Sequence, residues 1–104
     1  MNTFLSIIIP AYNEQQKIKN TLSIITEYFK DKGYYCEIII INDGSTDNTR
    51  DIVAQFINKF NILKIKRIEI KLLENDKNSG KGFSVKRGVL NSSGMFVLFT
   101  DADL

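Results

Sequence analysis

Apolar residues along the chain fall into short continuous runs separated by longer stretches with helical spacing. Leu5-Ser6-Ile7-Ile8-Ile9 is a compact β-branched run closed by Pro10, and it predicts a buried strand. From Glu14 to about Lys30, Ile18, Leu22, Ile25 and Phe29 recur with helical period, with Asn13 as N-cap and Gly33 as the stop. Glu37-Ile38-Ile39-Ile40-Ile41 is apolar toward both faces, the habit of a central strand in a parallel sheet. Asn42-Asp43-Gly44-Ser45 leaves it as a turn. Ser45 or Thr46 is placed to cap a second helix, with Asp47 in its positive first turn and Ile52, Val53, Phe56, Ile57 and Phe60 on its buried face.

Ile68, Ile70 and Leu72 alternate with Glu69 and Lys71. This predicts a half-exposed third strand at a sheet edge, where lysine discourages edge-to-edge pairing. After the polar loop Asn78-Ser79-Gly80-Lys81-Gly82, a third helix is expected from Phe83 to about Leu90, with Val85 and Val89 on one face. Gly88 inside it costs about 1 kcal/mol relative to alanine, which marks close packing on the sheet or on a ligand. Met95 to Thr100 completes the pattern as a fourth strand, read as buried. Strict β-α alternation predicts an α/β fold: a three-layer α/β/α arrangement on a mainly parallel four-stranded sheet. No repeat, low-complexity tract or linker divides residues 1–104.

Composition removes several function classes. Of 104 residues, 43% are hydrophobic and 25% charged, and the net charge of +2 carries no nucleic-acid footprint. There is no histidine, which excludes Ser-His and Cys-His nucleophiles and histidine metal sites within these residues. The single Cys36 excludes an internal disulfide and reads as a buried, reduced thiol. Any metal must be held by oxygen. Leu5 to Ile9 is too short for a signal peptide, and no stretch approaches the roughly 20 apolar residues of a spanning helix. The chain is expected to be soluble and cytoplasmic.

The chemistry concentrates at Val97-Leu98-Phe99-Thr100-Asp101-Ala102-Asp103-Leu104, where an apolar strand runs into two carboxylates. Strand alternation would bring Asp101 and Asp103 out on one face, at the carboxyl edge where open α/β sheets bind ligands. Such a pair suits a hard divalent cation that shares its shell with substrate phosphates. Pro10-Ala11-Tyr12-Asn13-Glu14 and Asn42-Asp43-Gly44-Ser45 should reach the same edge, adding Glu14 and Asp43. Clustered carboxylates need a cation or hydrogen-bond donors to offset them. Lys81, Arg87 and the first-turn amides of the third helix could meet phosphate. Structural alternatives stand beside these readings: Tyr12 packing over the sheet edge, Asp43 forming a turn, Lys81 and Arg87 solvated. Asp47 is read as a helix cap; Asp43, Asp101 and Asp103 are read as functional because all three fall at one edge. Dinucleotide-binding, P-loop and EF-hand signatures are absent.

Four stretches, in this order, resemble the nucleotide-binding half of a family 2 glycosyltransferase of the GT-A fold. They are Ile7 through Glu14 (I-I-I-P-A-Y-N-E), Ile40 through Asp47 (I-I-N-D-G-S-T-D), Gly80-Lys81-Gly82 through Val85-Lys86-Arg87-Gly88, and Asp101-Ala102-Asp103-Leu104. Gly-Lys-Gly together with Asp-Ala-Asp is most similar to enzymes that move a hexose from a nucleotide sugar onto a polyprenyl, dolichyl-type phosphate. The resemblance implies a Rossmann-like sheet and a UDP- or GDP-linked hexose donor. It implies that Pro10, Ala11, Tyr12 and Glu14 line the nucleoside pocket and that Asp43 bonds the base. Lys81 and Arg87 would lie near the phosphates, and Asp101 near ribose and metal. Asp103 would bind Mg²⁺ or Mn²⁺ directly. Asn42 stands where many members have aspartate, and Ser84 where a small apolar residue is usual.

The expected domain is a donor-binding unit over 1–104, truncated after Asp-Ala-Asp. A catalytic base, an acceptor site for a lipid phosphate and any membrane contact would lie beyond Leu104, at the cytoplasmic face of a membrane. Alone, this piece is expected to be inactive, and its exposed fourth strand predicts marginal stability or self-association. Other function classes compete with this reading. A sugar-nucleotide-forming nucleotidyltransferase would need a glycine-rich, arginine-bearing first loop, which Pro10–Glu14 is not. The remaining alternatives are a receiver-like domain and a non-catalytic nucleotide-binding module.

Overall fold

A computed structural model describes residues 2–104. Four strands, β1 (Leu5–Ala11), β2 (Cys36–Asn42), β3 (Ile68–Glu74) and β4 (Phe96–Phe99), alternate with helices α1 (Ile18–Phe29), α2 (Thr49–Ile62) and α3 (Lys81–Leu90). All pairings are parallel and the spatial order is β3-β2-β1-β4. β1 and β2 are central, and their isoleucines from Ile7 to Ile9 and Ile38 to Ile41 are at most 1% exposed. Side chains alternate across a strand. Ile7, Ile9, Ile38 and Ile40 therefore pack with Ile18, Leu22 and Ile25 of α1 and Val53 and Phe60 of α2. Ile8, Ile39 and Ile41 form the smaller cluster on the opposite face.

α3 covers that second face, and not through Val85 and Val89. Its buried residues are Ser84 and Gly88, while Val89 is 44% exposed. Gly88 explains the difference. A Cβ there would lie 2.5 Å from Ile8 Cγ2 and 2.8 Å from Ile41 Cδ1. The helix backbone thus sits directly on the isoleucine layer, where a valine face would hold it off.

Three further expectations are corrected. α1 starts at Ile18, four residues after Glu14, and Asn13 is not its cap. Asn13 adopts φ 52°, a left-handed conformation that asparagine tolerates, and its side chain accepts from Thr46 N at 2.8 Å. The N-cap position of α2 is Asn48 in place of Ser45 or Thr46, and the neighbouring Asp47 supplies the side-chain bonds to its first residue: Oδ1 accepts from Thr49 N at 2.9 Å and from Thr49 Oγ1 at 2.5 Å. Those bonds outweigh desolvation and hold the Asp47 carboxyl below its ordinary value. Finally, β4 is not buried. Phe96, Val97, Leu98 and Phe99 are 41–58% exposed, because the strand lies at the sheet edge with β1 alone beside it. Among the described residues, no helix is long and apolar enough to cross a membrane.

Candidate functional site

The strand order reverses between β1 and β4, and a cleft of about 400 Å³ opens at the carboxyl ends of the strands there. Pro10 and Ala11 line it from the end of β1, Tyr12 and Glu14 from the loop after it, Asp43 from the turn after β2, Lys81 from α3, and Asp101 and Asp103 from the segment after β4. Sequence reasoning did not single out Asn78, Gly80 and Ala102, which line it too. Arg87 is the exception among the expected residues. It lines a separate depression with Glu74, Lys77 and Phe83. Its Nη1 donates to Glu74 O at 2.6 Å and to Asn75 Oδ1 at 2.9 Å. Helical geometry accounts for this: six residues beyond Lys81 is roughly 600° of rotation and about 9 Å along the axis.

Asp101 and Asp103 share the cleft for a reason other than strand alternation. β4 ends at Phe99, and the two aspartates occupy a turn beyond it. Thr21, fully buried on α1, holds that turn: its hydroxyl donates to Ala102 O at 2.7 Å and accepts from Leu104 N at 3.1 Å. The signal in the sequence was a threonine inside the apolar stripe of Ile18, Leu22 and Ile25. Lys81 Nζ reaches Asp101 Oδ1 at 2.7 Å across the mouth.

Asp43 is 4% exposed and already well bonded. Oδ1 accepts from Ser79 N at 2.7 Å and Asn75 Nδ2 at 2.9 Å, and Oδ2 accepts from Gly80 N at 2.9 Å. The carboxylate thus takes the Ser79 and Gly80 amides, which lie just before the first turn of α3. An ionised carboxylate offers about four acceptor positions, so Oδ2 keeps capacity for a further donor. Asn75 is the hub of this corner, donating also to Ser84 Oγ at 2.9 Å. The departures from the family pattern therefore have jobs here: Ser84 anchors Asn75, and Asn42 Oδ1 accepts from Ser45 N at 3.3 Å to shape the turn.

The cleft is anionic. Burial raises the pKa of Glu14, and the charge of Asp103 adds to it, with smaller contributions from Asp47 and Asp101 opposed by Lys17. Among the described residues, no group of three or more His, Cys, Asp or Glu side chains is arranged to hold a metal by itself. Asp101 and Asp103 fit a hard cation that takes its remaining oxygens from water and a ligand's phosphates.

Comparison with known proteins bears on this arrangement. A family model described as "Glycosyl transferase family 2" matches residues 6–104. A dolichyl-phosphate beta-glucosyltransferase of Dictyostelium discoideum is 39% identical over 107 residues, covering 98% of this chain and 31% of that protein. Among solved structures, a mannosyltransferase from Pyrobaculum calidifontis in complex with GDP-Man and Mn²⁺ superposes with a TM-score of 0.82 at 28% identity, over 99% of this chain and 28% of that one. Residues 1–349 of S. aureus TarS in complex with UDP-GlcNAc give a TM-score of 0.78 at 27% identity, over 97% and 27% respectively. The chain spans about 31% of the length of the curated relative.

Proposed function

This chain belongs to glycosyl transferase family 2, and we propose that its cleft binds a nucleoside-diphosphate hexose together with Mg²⁺ or Mn²⁺. The observation that carries the reading is the convergence of Glu14, Asp43, Lys81, Asp101 and Asp103 from four separate segments on one cleft. Tyr12, 42% exposed at the rim, offers a ring face to a base, and Pro10 and Ala11 supply the apolar floor. The remaining acceptor position on Asp43 suits a base N–H. Lys81 suits the diphosphate, and Asp101 and Asp103 would hold the cation. When bound, the cation offsets negative charge on the departing diphosphate. Arg87 is assigned no contact with the donor; it braces the end of β3 and the start of the loop that leads to Lys81.

In the whole protein the activity is transfer of a hexose from a UDP- or GDP-linked donor. The relatives named dolichyl-phosphate beta-glucosyltransferase and the Gly-Lys-Gly and Asp-Ala-Asp segments together favour a polyprenyl phosphate acceptor. Such an acceptor would bring the protein to a membrane surface. Calorimetric titration of the chain with UDP-glucose and GDP-mannose, with and without Mn²⁺, tests the reading. Metal-dependent binding of one of them, weakened at least about ten-fold by Asp103→Asn, is expected. Absence of binding to either donor by the folded chain would overturn it.

A further inference from the structure

β4 is the least constrained strand of the sheet. It pairs with β1 over only four residues, Leu5↔Phe96 to Ile8↔Phe99, and among the described residues no strand pairs with its other side. Both of its faces are exposed, and Phe96-Val97-Leu98-Phe99 is apolar throughout. A strand whose residues are alike on both faces does not specify its own register. A slip of two residues would retain every side-chain orientation yet carry the following turn about 6.6 Å along the sheet. That distance would take Asp101 and Asp103 out of the cleft. Register must therefore be set from the ends of the strand.

Thr21 holds the far end. The near end is held by a carboxylate that the function described so far does not use. Glu37 opens β2 after Cys36, opposite Ser6 on β1 and Glu69 on β3, and is 1% exposed. Its Oε2 accepts from Ser6 Oγ and from Ser93 N, each at 2.5 Å, and from Ser93 Oγ at 3.0 Å. Its Oε1 accepts from Lys71 Nζ at 3.0 Å. Ser6 Oγ in turn accepts from Gly94 N at 2.8 Å. A Cβ on Gly94 would sit 2.6 Å from Ser6 N, so only glycine lets the turn come this close. One buried carboxylate thus ties β3, β2 and β1 to the turn that launches β4.

We infer that Glu37 is a positioning residue: by clamping Ser93 and Gly94 to β1 it selects the register of β4 and so places Asp101 and Asp103 in the cleft at the opposite edge of the sheet. The clamp stands on the geometry alone; its consequence for cation and donor binding rests on the function proposed above.

The test compares the wild-type chain with Glu37→Gln and Glu37→Ala by residue-resolved amide exchange and by Mn²⁺-induced line broadening. Glu37→Gln is nearly isosteric and keeps one acceptor oxygen, so it guards against simple failure to fold. In Glu37→Ala, exchange at Phe96 to Phe99 should accelerate on the order of ten-fold or more relative to Ile39 and Ile40. Broadening at Asp101 and Asp103 should weaken in parallel. Glu37→Gln should fall between, a partial rescue. Equal acceleration in β2 and β4 would show a general stabilising role and overturn the proposal. So would unchanged exchange across Phe96 to Phe99 in a folded Glu37→Ala chain. If wild type shows no Mn²⁺ effect, the functional reading fails, and the contrast in exchange still decides the clamp.

Discussion

Lys81 Nζ sits 2.7 Å from Asp101 Oδ1, an ion pair that joins the start of α3 to the turn after β4 across the cleft mouth. The two side chains are 58% and 64% exposed, so the bond is worth at most about 1 kcal/mol. It is weak enough for a divalent cation to displace. Lys81→Met should therefore leave Mn²⁺ affinity without donor unchanged or slightly higher, since a competing positive charge is gone. Donor affinity should fall about ten-fold as a phosphate contact is lost. Calorimetry with metal alone, then with UDP-glucose or GDP-mannose, separates the two effects. A drop in both would sink the idea that Lys81 competes with the cation.

The acid stability of the fold should depend on Glu37. Desolvation alone would raise its pKa. The hydroxyls and amide of Ser6 and Ser93, with Lys71, more than reverse this and bring it down to about 2 from 4.5. A carboxyl depressed in the folded state stabilises above its unfolded pKa, and that contribution is lost as pH falls from about 4.5 towards 2. Its size is roughly 3 kcal/mol. Urea unfolding of wild type between pH 6 and pH 2.5 should show this loss, and Glu37→Gln should show a flatter profile.

Asp43→Ala should open the loop before α3. Ser79 N, Gly80 N and Asn75 Nδ2 would lose their common acceptor. Hydrogen bonds to a charged group are worth about 1.5–3 kcal/mol each, so a donor affinity loss on the order of 100-fold is expected. Asp43→Asn should be intermediate, because its amide can still accept from two donors but presents an N–H to Gly80. Amide exchange at Ser79 and Gly80 reports the loop directly.

Gly88→Ala sets two magnitudes against each other. Helix propensity favours alanine by about 1 kcal/mol. Overpacking against Ile8 and Ile41 costs about 1–3 kcal/mol. The clash should win, lowering Tm by about 5 °C. A stabilised variant would mean that the isoleucines yield freely.

The exposed apolar edge of β4 carries no lysine, proline or bulge to block strand addition. Concentration-dependent association is expected in sedimentation velocity. Leu98→Lys should suppress it, placing a charge where the edge has none.

Much of this was legible in the chain itself. Short apolar runs located β1, β2 and β4, alternation located β3, and period-3.6 spacing located the helices, because burial of one face or of both leaves a pattern that survives in one dimension. Isoleucine-rich β1 and β2 announced themselves as central for the same reason, and the acidic loops announced a cleft because parallel strands all end at one edge. Other features had no local signature. The buried Glu37 looked like one more strand residue, since its partners Ser6, Lys71 and Ser93 are 31 to 56 positions away. Arg87 was expected in the cleft with Lys81 until the turn of α3 separated them. Asp101 and Asp103 came together through a threonine on α1, not through the strand that leads to them. Sequence pattern determined which elements form and which edge carries the charge. Only the tertiary fold decided which polar groups meet, because a hydrogen bond is specific to distance and direction, and neither is written along the chain.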